Sequence, residues 1–284
     1  MPDKRKVRVT SDSTCDLGDE LIARYDVGIC PIAVILGDEI RHDTVDIDSQ
    51  GVLDFVEKTG KLPKTAATSQ EEYAEYFRKE LQESEELIHF CISSKASSCY
   101  EHATAAAKEV GNVHVVDSKA LSGGQGLLIL KACDLLAEGK SAKEVAEIAQ
   151  NMTDKIQLSF VVDTLEYLHK GGRCSSIALV SAKLLKIHPS IYNKDGELVV
   201  QKKYIGSHSR CVAQYIGDLA AEFRNYDDTR AFITHPPSDP ELVEMAKEKV
   251  KELFKFKEVF DTQAGSTVTS HCGRNTLGVL FINK

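Results

Sequence analysis

The stretch from Ile88 to Ala107 carries the residue types best suited to hold an anion. Its first residues, Ile88 to Ile92, predict a short buried strand; four serines follow in a polar turn, and an Ala-rich helix begins near Cys99. A hydroxyl-rich turn at this position places serine side chains beside the unpaired N–H groups and the positive dipole end of the helix. Such a corner suits a carboxylate or a single phosphate. A structural alternative stays open, in which Ser97 or Ser98 only caps the helix.

Several other kinds of site are disfavoured by motif and spacing. No glycine fingerprint of a dinucleotide loop follows the strand, and no G-x-x-x-x-G-K-[ST] phosphate loop occurs in the chain. The eight cysteines, at positions 15, 30, 91, 99, 133, 174, 211 and 272, form no C-x-x-C pair and no His/Cys cluster at zinc spacing. We therefore predict reduced, mostly buried thiols and neither a metal nor a cofactor.

Composition and charge argue against nucleic acid and a membrane span as the setting of this chain. The net charge of -8, the absence of Trp and the lack of a dense Lys/Arg run argue against nucleic acid. The longest apolar run, Ile29 to Leu36, contains Pro31 and falls far short of the roughly 20 residues of a membrane span. The N-terminus leads directly into a strand, without the apolar region of a signal peptide. We expect a soluble, cytoplasmic protein with at most transient contact with a membrane surface.

The order of elements predicts an α/β protein with two domains. Strands and helices alternate from Val7 to Met152, which favours a parallel sheet covered by helices. Polar corners at Ser11–Thr14 and Asp117–Ser118 follow strands, at the edge where open parallel sheets bind ligands. Asp195-Gly196 between two β-prone runs predicts a hairpin, and hence antiparallel pairing that the first half lacks. We place the domains at residues 1–155 and 156–284.

Four segments complete the predicted framework. Val27 to Leu36 is almost wholly apolar and predicts a single strand covered on both faces. Lys61 to Ser69 is expected to be a loop, and Ser270, Cys272 and Gly273 place His271 in another. Ile177 to Leu185 predicts an apolar helix after the Gly171-Gly172 stop.

Short motifs along the whole chain carry a family resemblance by their order and spacing. They are Ser11-Asp12-Ser13-Thr14, Val45-Asp46-Ile47, Pro63-Lys64-Thr65, Ile92-Ser93-Ser94 with Ser97, Asp117-Ser118, Thr164-Leu165-Glu166-Tyr167-Leu168, Lys170-Gly171-Gly172-Arg173 and His271-Cys272-Gly273. On these motifs the sequence resembles the DegV family, bacterial fatty-acid-binding proteins of the FakB type. The resemblance implies a three-layer α/β/α domain on a parallel sheet and a two-layer α/β domain on a mixed sheet, with a fatty acid between them.

The resemblance also implies a set of ligand-binding residues. The carboxyl group would be bound by Thr65, Ser93 and Ser94 from the first domain and by His271 from the second. Hydroxyls and an imidazole can satisfy either an ionised or a neutral acid, so no lysine is required. The candidate wall for the tail is Ile177, Leu179, Val180, Leu184 and Leu185, although the same spacing fits an ordinary core helix. Arg173 is a candidate interface residue.

The function implied by the resemblance is that of a carrier, without catalysis of its own. It would shield a long-chain fatty acid and present the carboxyl group to a fatty acid kinase, which makes the acyl-phosphate. The sequence departs from the family at Ile187-His188-Pro189, where relatives have Ile-Lys-Pro, and at Lys203 to Arg210, which has largely lost a basic run. The lost charge bears on kinase docking more than on lipid binding.

Two other functions stay open. One is an acyl-transfer hydrolase with Cys99 or Ser94 as nucleophile and His271 or His102 as base, although no G-x-S-x-G elbow or recognised Cys/His signature accompanies them. The other is a sensor or scaffold whose pocket binds a different carboxylate or stays empty.

Overall fold

The structure, a computed structural model, describes residues 5–174 and 187–284. Its strands are β1 (Arg5–Asp12), β2 (Gly28–Cys30), β3 (Ala33–Leu36), β4 (Glu39–His42), β5 (Lys64–Ala66), β6 (Ser84–Cys91), β7 (Val113–Asp117), β8 (Ile156–Gln157), β9 (Ser159–Val161), β10 (Ile187–Lys194), β11 (Glu197–Ile205), β12 (Tyr226–His235), β13 (Glu258–Gln263) and β14 (Leu277–Asn283). Its α-helices are α1 (Gly18–Tyr25), α2 (Ser49–Thr59), α3 (Gln70–Glu80), α4 (Cys99–Val110), α5 (Ser122–Ala137), α6 (Ala142–Asn151), α7 (Glu166–Gly171), α8 (His208–Glu222), α9 (Pro240–Leu253) and α10 (Ser266–Cys272).

The first half is built on a parallel sheet, as predicted. Its strand order is β2-β1-β6-β7, and every neighbouring pair is parallel. Helices α3 and α4 pack on one face of this sheet, and α5 and α6 pack on the other. The last five residues of β6 are all buried because both faces are covered.

The second half is built on a mixed sheet, again as predicted. Its order is β11-β10-β9-β14-β12-β13, with β8 also paired to β14, and β12 and β13 are parallel neighbours. Helices α8 and α9 cover one face around a core that includes Tyr215 and Phe281. The predicted hairpin joins β10 to β11, and both of its turn residues, Asp195 and Gly196, have positive φ, as a type I′ turn requires. The α/β fold class is therefore confirmed.

A small antiparallel sheet in the first half corrects two sequence predictions. Its order is β4-β3-β5, so the first half does contain antiparallel pairing. Val27 to Leu36 is not one strand, because the chain leaves the parallel sheet at Pro31, which has no N–H to donate. The predicted loop from Lys61 to Ser69 contains β5, whose three residues are too few to produce a periodic signal.

Helix α5 joins the two halves. It contacts β1 and β6 of the parallel sheet and β8, β12 and β14 of the mixed sheet. Glycines allow this close approach, since a Cβ atom on Gly123 would lie 2.6 Å from the Phe232 ring and one on Gly126 would lie 2.9 Å from the Leu17 side chain. The mixed sheet begins with β8 directly after residue 155, but the division into domains at that residue stays a prediction.

Two further sequence predictions concern a membrane-spanning helix and the apolar helix from Ile177 to Leu185. Within residues 5–174 and 187–284, no helix has the length and apolar character needed to cross a bilayer. The apolar helix predicted from Ile177 to Leu185 lies outside the described residues.

Candidate functional site

A cavity of about 550 Å³ lies where residues of both halves meet. This volume is within the range typical of small-molecule sites. The described residues that line it are Ile32, Thr65, Ala66, Ala67, Ile92, Ser94, Lys95, Ala96, Ser97, Ser98, Tyr100, Glu101, Leu121, Leu168, Arg173, Leu198, Thr267, Val268, His271 and Cys272. Three of the four predicted head-group residues, Thr65, Ser94 and His271, are therefore brought to one cavity.

Thr65 and His271 form a direct pair in the cavity wall. Thr65 lies on β5, opposite Val34 of the neighbouring strand, and its Oγ1 is 2.9 Å from Nε2 of His271. His271 lies in the last turn of α10, so the prediction that it sits in a loop was wrong. The sequence of α10 is rich in Ser, Thr and Val, which are poor helix formers, and it gives no helical signal by itself.

The N-terminus of α10 is stabilised by carboxyl groups from the first half. Its N-cap residue, Gly265, has no side chain to accept a hydrogen bond. Oδ1 of Asp43 instead accepts from the N–H of Ser266 at 2.8 Å, and Oδ1 of Asp16 accepts from the N–H of Gly265 at 2.8 Å. These contacts replace a local cap and fix the helix that carries His271.

Burial controls the charge of His271. Removal from water, with a smaller contribution from the positive charge of Arg173, lowers the pKa of His271 to about 4. The imidazole is therefore neutral near pH 7. Its Nδ1 has no hydrogen-bond partner and lies against Gly171, where a Cβ atom would be only 2.5 Å away.

The unpaired Nδ1 favours one tautomer. An unpaired buried N–H costs more than an unpaired lone pair, so we assign the proton to Nε2, which then donates to Oγ1 of Thr65. The Thr65 hydroxyl proton is then available for an acceptor in the cavity. A carboxylate or carboxylic acid supplies such an acceptor.

The two predicted serines differ in position. Ser94 lines the cavity, and its hydroxyl donates to Oδ2 of Asp117 at 2.6 Å. Ser93 is buried and absent from the cavity wall; its hydroxyl donates to the carbonyl of Gly196 at 2.7 Å and accepts from the N–H of Lys95. Ser93 thus joins the parallel-sheet half to the β10–β11 turn, and its role as a ligand stays a prediction.

The turn that follows has a structural function as well. Oγ of Ser97 accepts from the N–H of Cys99 at 3.3 Å, whereas Ser98, the N-cap residue of α4, makes no side-chain capping bond. Ser97 therefore stabilises the start of α4, as the structural alternative proposed, and it also lines the cavity.

The contacts do not favour a hydrolase. Burial raises the pKa of the Cys99 thiol to about 11, which opposes formation of a thiolate. Nδ1 of His102 bonds to the carbonyl of Thr68, and Ser94 bonds to Asp117. No hydrogen bond among the described residues joins Cys99 or Ser94 to a histidine, so the nucleophile–histidine pairs that a hydrolase would use are not formed in this structure.

The remaining predicted residues have different outcomes. Arg173 is an exposed residue of the cavity wall, and its Nη1 donates to the carbonyl of Gly171 at 2.7 Å. The predicted tail wall, Ile177, Leu179, Val180, Leu184 and Leu185, lies outside the described residues. The apolar lining that the structure does describe was missed, because its members, Ile32, Ile92, Leu121, Leu168, Leu198 and Val268, are scattered over six separate segments.

Comparison with known proteins finds a matching family model and several similar proteins. The family model for "Uncharacterised protein, DegV family" matches residues 6–284. A DegV domain-containing protein of Clostridium acetobutylicum is 30% identical, covering 98% of this chain and 99% of that protein. A DegV family protein of Thermus thermophilus, described as fatty acid binding, is 27% identical with a TM-score of 0.90, covering 98% of this chain and all of that one.

A more distant structure shares the fold alone. The Fatty Acid Kinase (Fak) B3 protein of Streptococcus pneumoniae, loaded with linoleic acid, is 20% identical with a TM-score of 0.83. It covers 98% of this chain, and this chain covers all of it.

Proposed function

Since this chain belongs to the DegV family, we propose that it binds a fatty acid in the cavity between its two halves, with the carboxyl group at Thr65 and His271. The observation that carries the proposal is the pair itself, which leaves one hydroxyl proton for an acid in a cavity lined by both apolar and polar side chains. The similar protein from Thermus thermophilus, described as fatty acid binding, supports the ligand class.

The tail and the head group of the fatty acid would contribute differently to its binding free energy. Each methylene removed from water contributes about 0.8 kcal/mol, so a long chain supplies most of the affinity. The hydroxyl and the neutral imidazole would then fix which end of the ligand enters. Ser94 lines the same cavity and would add an acceptor for a protonated acid.

Lipid extraction and mass spectrometry of the purified protein test this proposal. We expect a fatty acid at near-stoichiometric amount, and Thr65→Val to weaken fatty acid binding by roughly 10- to 100-fold, since a hydrogen bond to a charged group contributes about 1.5–3 kcal/mol. Thr104→Val is the matched control, because the Thr104 hydroxyl has no partner and lies outside the cavity wall. A protein without lipid that also fails to bind added fatty acid would contradict the proposal.

We further propose that the bound fatty acid is presented to a fatty acid kinase, which phosphorylates its carboxyl group, and that this chain does no chemistry itself. The support is the family resemblance together with the position of Arg173, an exposed cation at the cavity wall. Such a cation suits an acidic partner surface or a nucleotide phosphate.

A reconstituted assay separates this second proposal from the first. Lipid-loaded protein, a fatty acid kinase and ATP should yield acyl-phosphate, and Arg173→Ala should slow that reaction while lipid content stays constant. Arg224→Ala is the control, because Arg224 is an exposed arginine that also donates to a nearby carbonyl but lies outside the cavity wall. Equal rates for both variants would argue against docking through Arg173.

A further inference from the structure

Asp163, His188 and His208 meet in the second half, outside the cavity wall. Nδ1 of His188 is 3.0 Å from Nδ1 of His208, and Oδ1 of Asp163 is 3.5 Å from the first nitrogen and 3.8 Å from the second. The three residues come from separate segments: the turn before α7, the strand β10 and the first residue of α8. This cluster has no local sequence signal because its members are 20 or more positions apart.

These separations match one face of a coordination tetrahedron. Zn²⁺ binds imidazole nitrogen and carboxylate oxygen at about 2.0–2.2 Å, which places neighbouring ligand atoms of a tetrahedron about 3.3–3.6 Å apart. The three observed distances scatter around that value. An ion above the face would reach all three atoms with small side-chain adjustments, once the proton that Nδ1 of His188 shares with Nδ1 of His208 has moved to Nε2 of His188 or to water.

A second set of contacts orients the ligand atoms. Nε2 of His208 lies 2.7 Å from the carbonyl oxygen of Asn275, so Nε2 carries the proton and the Nδ1 lone pair points toward the other two residues. Asn275 also donates from Nδ2 to Oδ2 of Asp163 at 3.4 Å, which leaves Oδ1 for an ion. Histidines that bind metals in proteins typically donate their other ring N–H in this way.

Exposure differs among the three side chains. His188 and His208 are 10% and 14% exposed, whereas Asp163 is 39% exposed. The histidines are therefore fixed by packing, while the side of Asp163 is open to solvent. Three protein ligands with one open side are typical of zinc sites that keep a position for water or an external ligand.

We propose that Asp163, His188 and His208 bind one Zn²⁺ ion, whose fourth position is open to water or to an anionic group of a partner molecule. One carboxylate and two neutral imidazoles leave the bound ion with a net positive charge, which favours an anion at that position. The ion would link the turn before α7 and the start of α8 to the segment after α10, through Asn275.

A second cluster of side chains that could bind a metal lies in the first half of the chain. Asp12, His89 and Cys91 also lie close together, but all three are completely buried. The Asp12 oxygens already accept from the Tyr73 hydroxyl and from the N–H of Ile92. A metal there would have to break these bonds, so we assign this cluster to the core.

Metal binding to the full-length protein tests the proposal. After treatment with a chelator, equilibrium dialysis against ZnSO₄ should give one bound ion per chain, and Co²⁺ should give the visible spectrum of a tetrahedral site without a near-ultraviolet thiolate band. His188→Lys and His208→Ala should each lower the affinity by more than about tenfold. His235→Ala is the control, because His235 contacts a single carboxylate, Asp261, at 2.9 Å.

Two results would overturn the assignment: Zn²⁺ affinity unchanged in both His188→Lys and His208→Ala, or a thiolate band that points to Cys91. Far-ultraviolet circular dichroism checks the fold of each variant. If the buried histidine variants fail to fold, Asp163→Asn supplies the same test from the exposed side of the site.

Discussion

At the scale of single residues, the main feature is a partly buried histidine, His271, that pairs with a hydroxyl rather than with a carboxylate. A carboxylate next to His271 would hold a proton on the ring and would repel an incoming acid. Thr65 does neither, and burial keeps the ring neutral. The pair can therefore meet an acid in either protonation state without burying two opposite charges.

The depressed pKa of His271 predicts an acid-sensitive contribution to stability. In the unfolded chain the ring takes up a proton below about pH 6.5, whereas in the folded protein it does so only near pH 4. The unfolded state thus binds more protons between these values, so the free energy of unfolding falls as the pH is lowered from about 6.5 to 4, by up to about 3 kcal/mol.

Urea denaturation at a series of pH values measures this effect. The profile of His271→Gln, subtracted from that of the wild type, should isolate the contribution of this ring. A difference in the free energy of unfolding between wild type and His271→Gln that stays constant from pH 7 to pH 4 would contradict a His271 pKa of about 4.

At the scale of elements, α7 and α10 approach each other because two glycines allow it. A Cβ atom on Gly171 would lie 2.5 Å from Nδ1 of His271, and one on Gly273 would lie 2.6 Å from the Tyr167 ring. We expect Gly171→Ala to displace the imidazole from Thr65 and to weaken fatty acid binding about as much as Thr65→Val does. Displacement of a fluorescent fatty acid measures the change.

Gly217→Ala in α8 is the matched control for that prediction. Gly217 is also helical, but an added Cβ atom would meet nothing within 4 Å. Alanine there should leave binding unchanged and should raise stability by up to about 1 kcal/mol. Equal binding by Gly171→Ala and the wild type would show that His271 is not held by this contact.

The elements differ in how far the sequence predicted them. Strand β6, the polar turn and α4 were predicted because buried apolar runs and an Ala-rich segment have strong local signals. Helix α10 was missed because its stabilising contacts come from Asp16 and Asp43, more than 200 positions away along the chain. Thr65 and His271 could be proposed from a family resemblance, but their contact depends on packing between the two halves.

At the scale of the whole molecule, α5 belongs to the cores of both halves. The glycines at its start pack against Phe232 of β12 and against Leu158, which lies between β8 and β9, and its next turn packs against Leu17 of the first half. We therefore expect the two halves to unfold together. Scanning calorimetry should give one transition whose calorimetric and van't Hoff enthalpies agree.

Gly123→Ala tests the packing of α5 against the mixed sheet. The added Cβ atom would lie 2.6 Å from the Phe232 ring and 2.8 Å from Oγ1 of Thr234, so overpacking should lower the free energy of unfolding by about 1–3 kcal/mol. Two separate transitions in the wild type, or an unchanged midpoint in this variant, would contradict the role given to α5.

The hydrogen bonds between the halves also constrain how a lipid could enter and leave. Ser93 to Gly196, Asn193 to Lys119 and the two bonds at the start of α10 would all break if the sheets separated. Rotation of the exposed Arg173 side chain breaks one bond, to the Gly171 carbonyl. Exposed side chains rotate within picoseconds to nanoseconds, so lipid could leave without separation of the sheets, at a rate set by the transfer of its apolar tail into water.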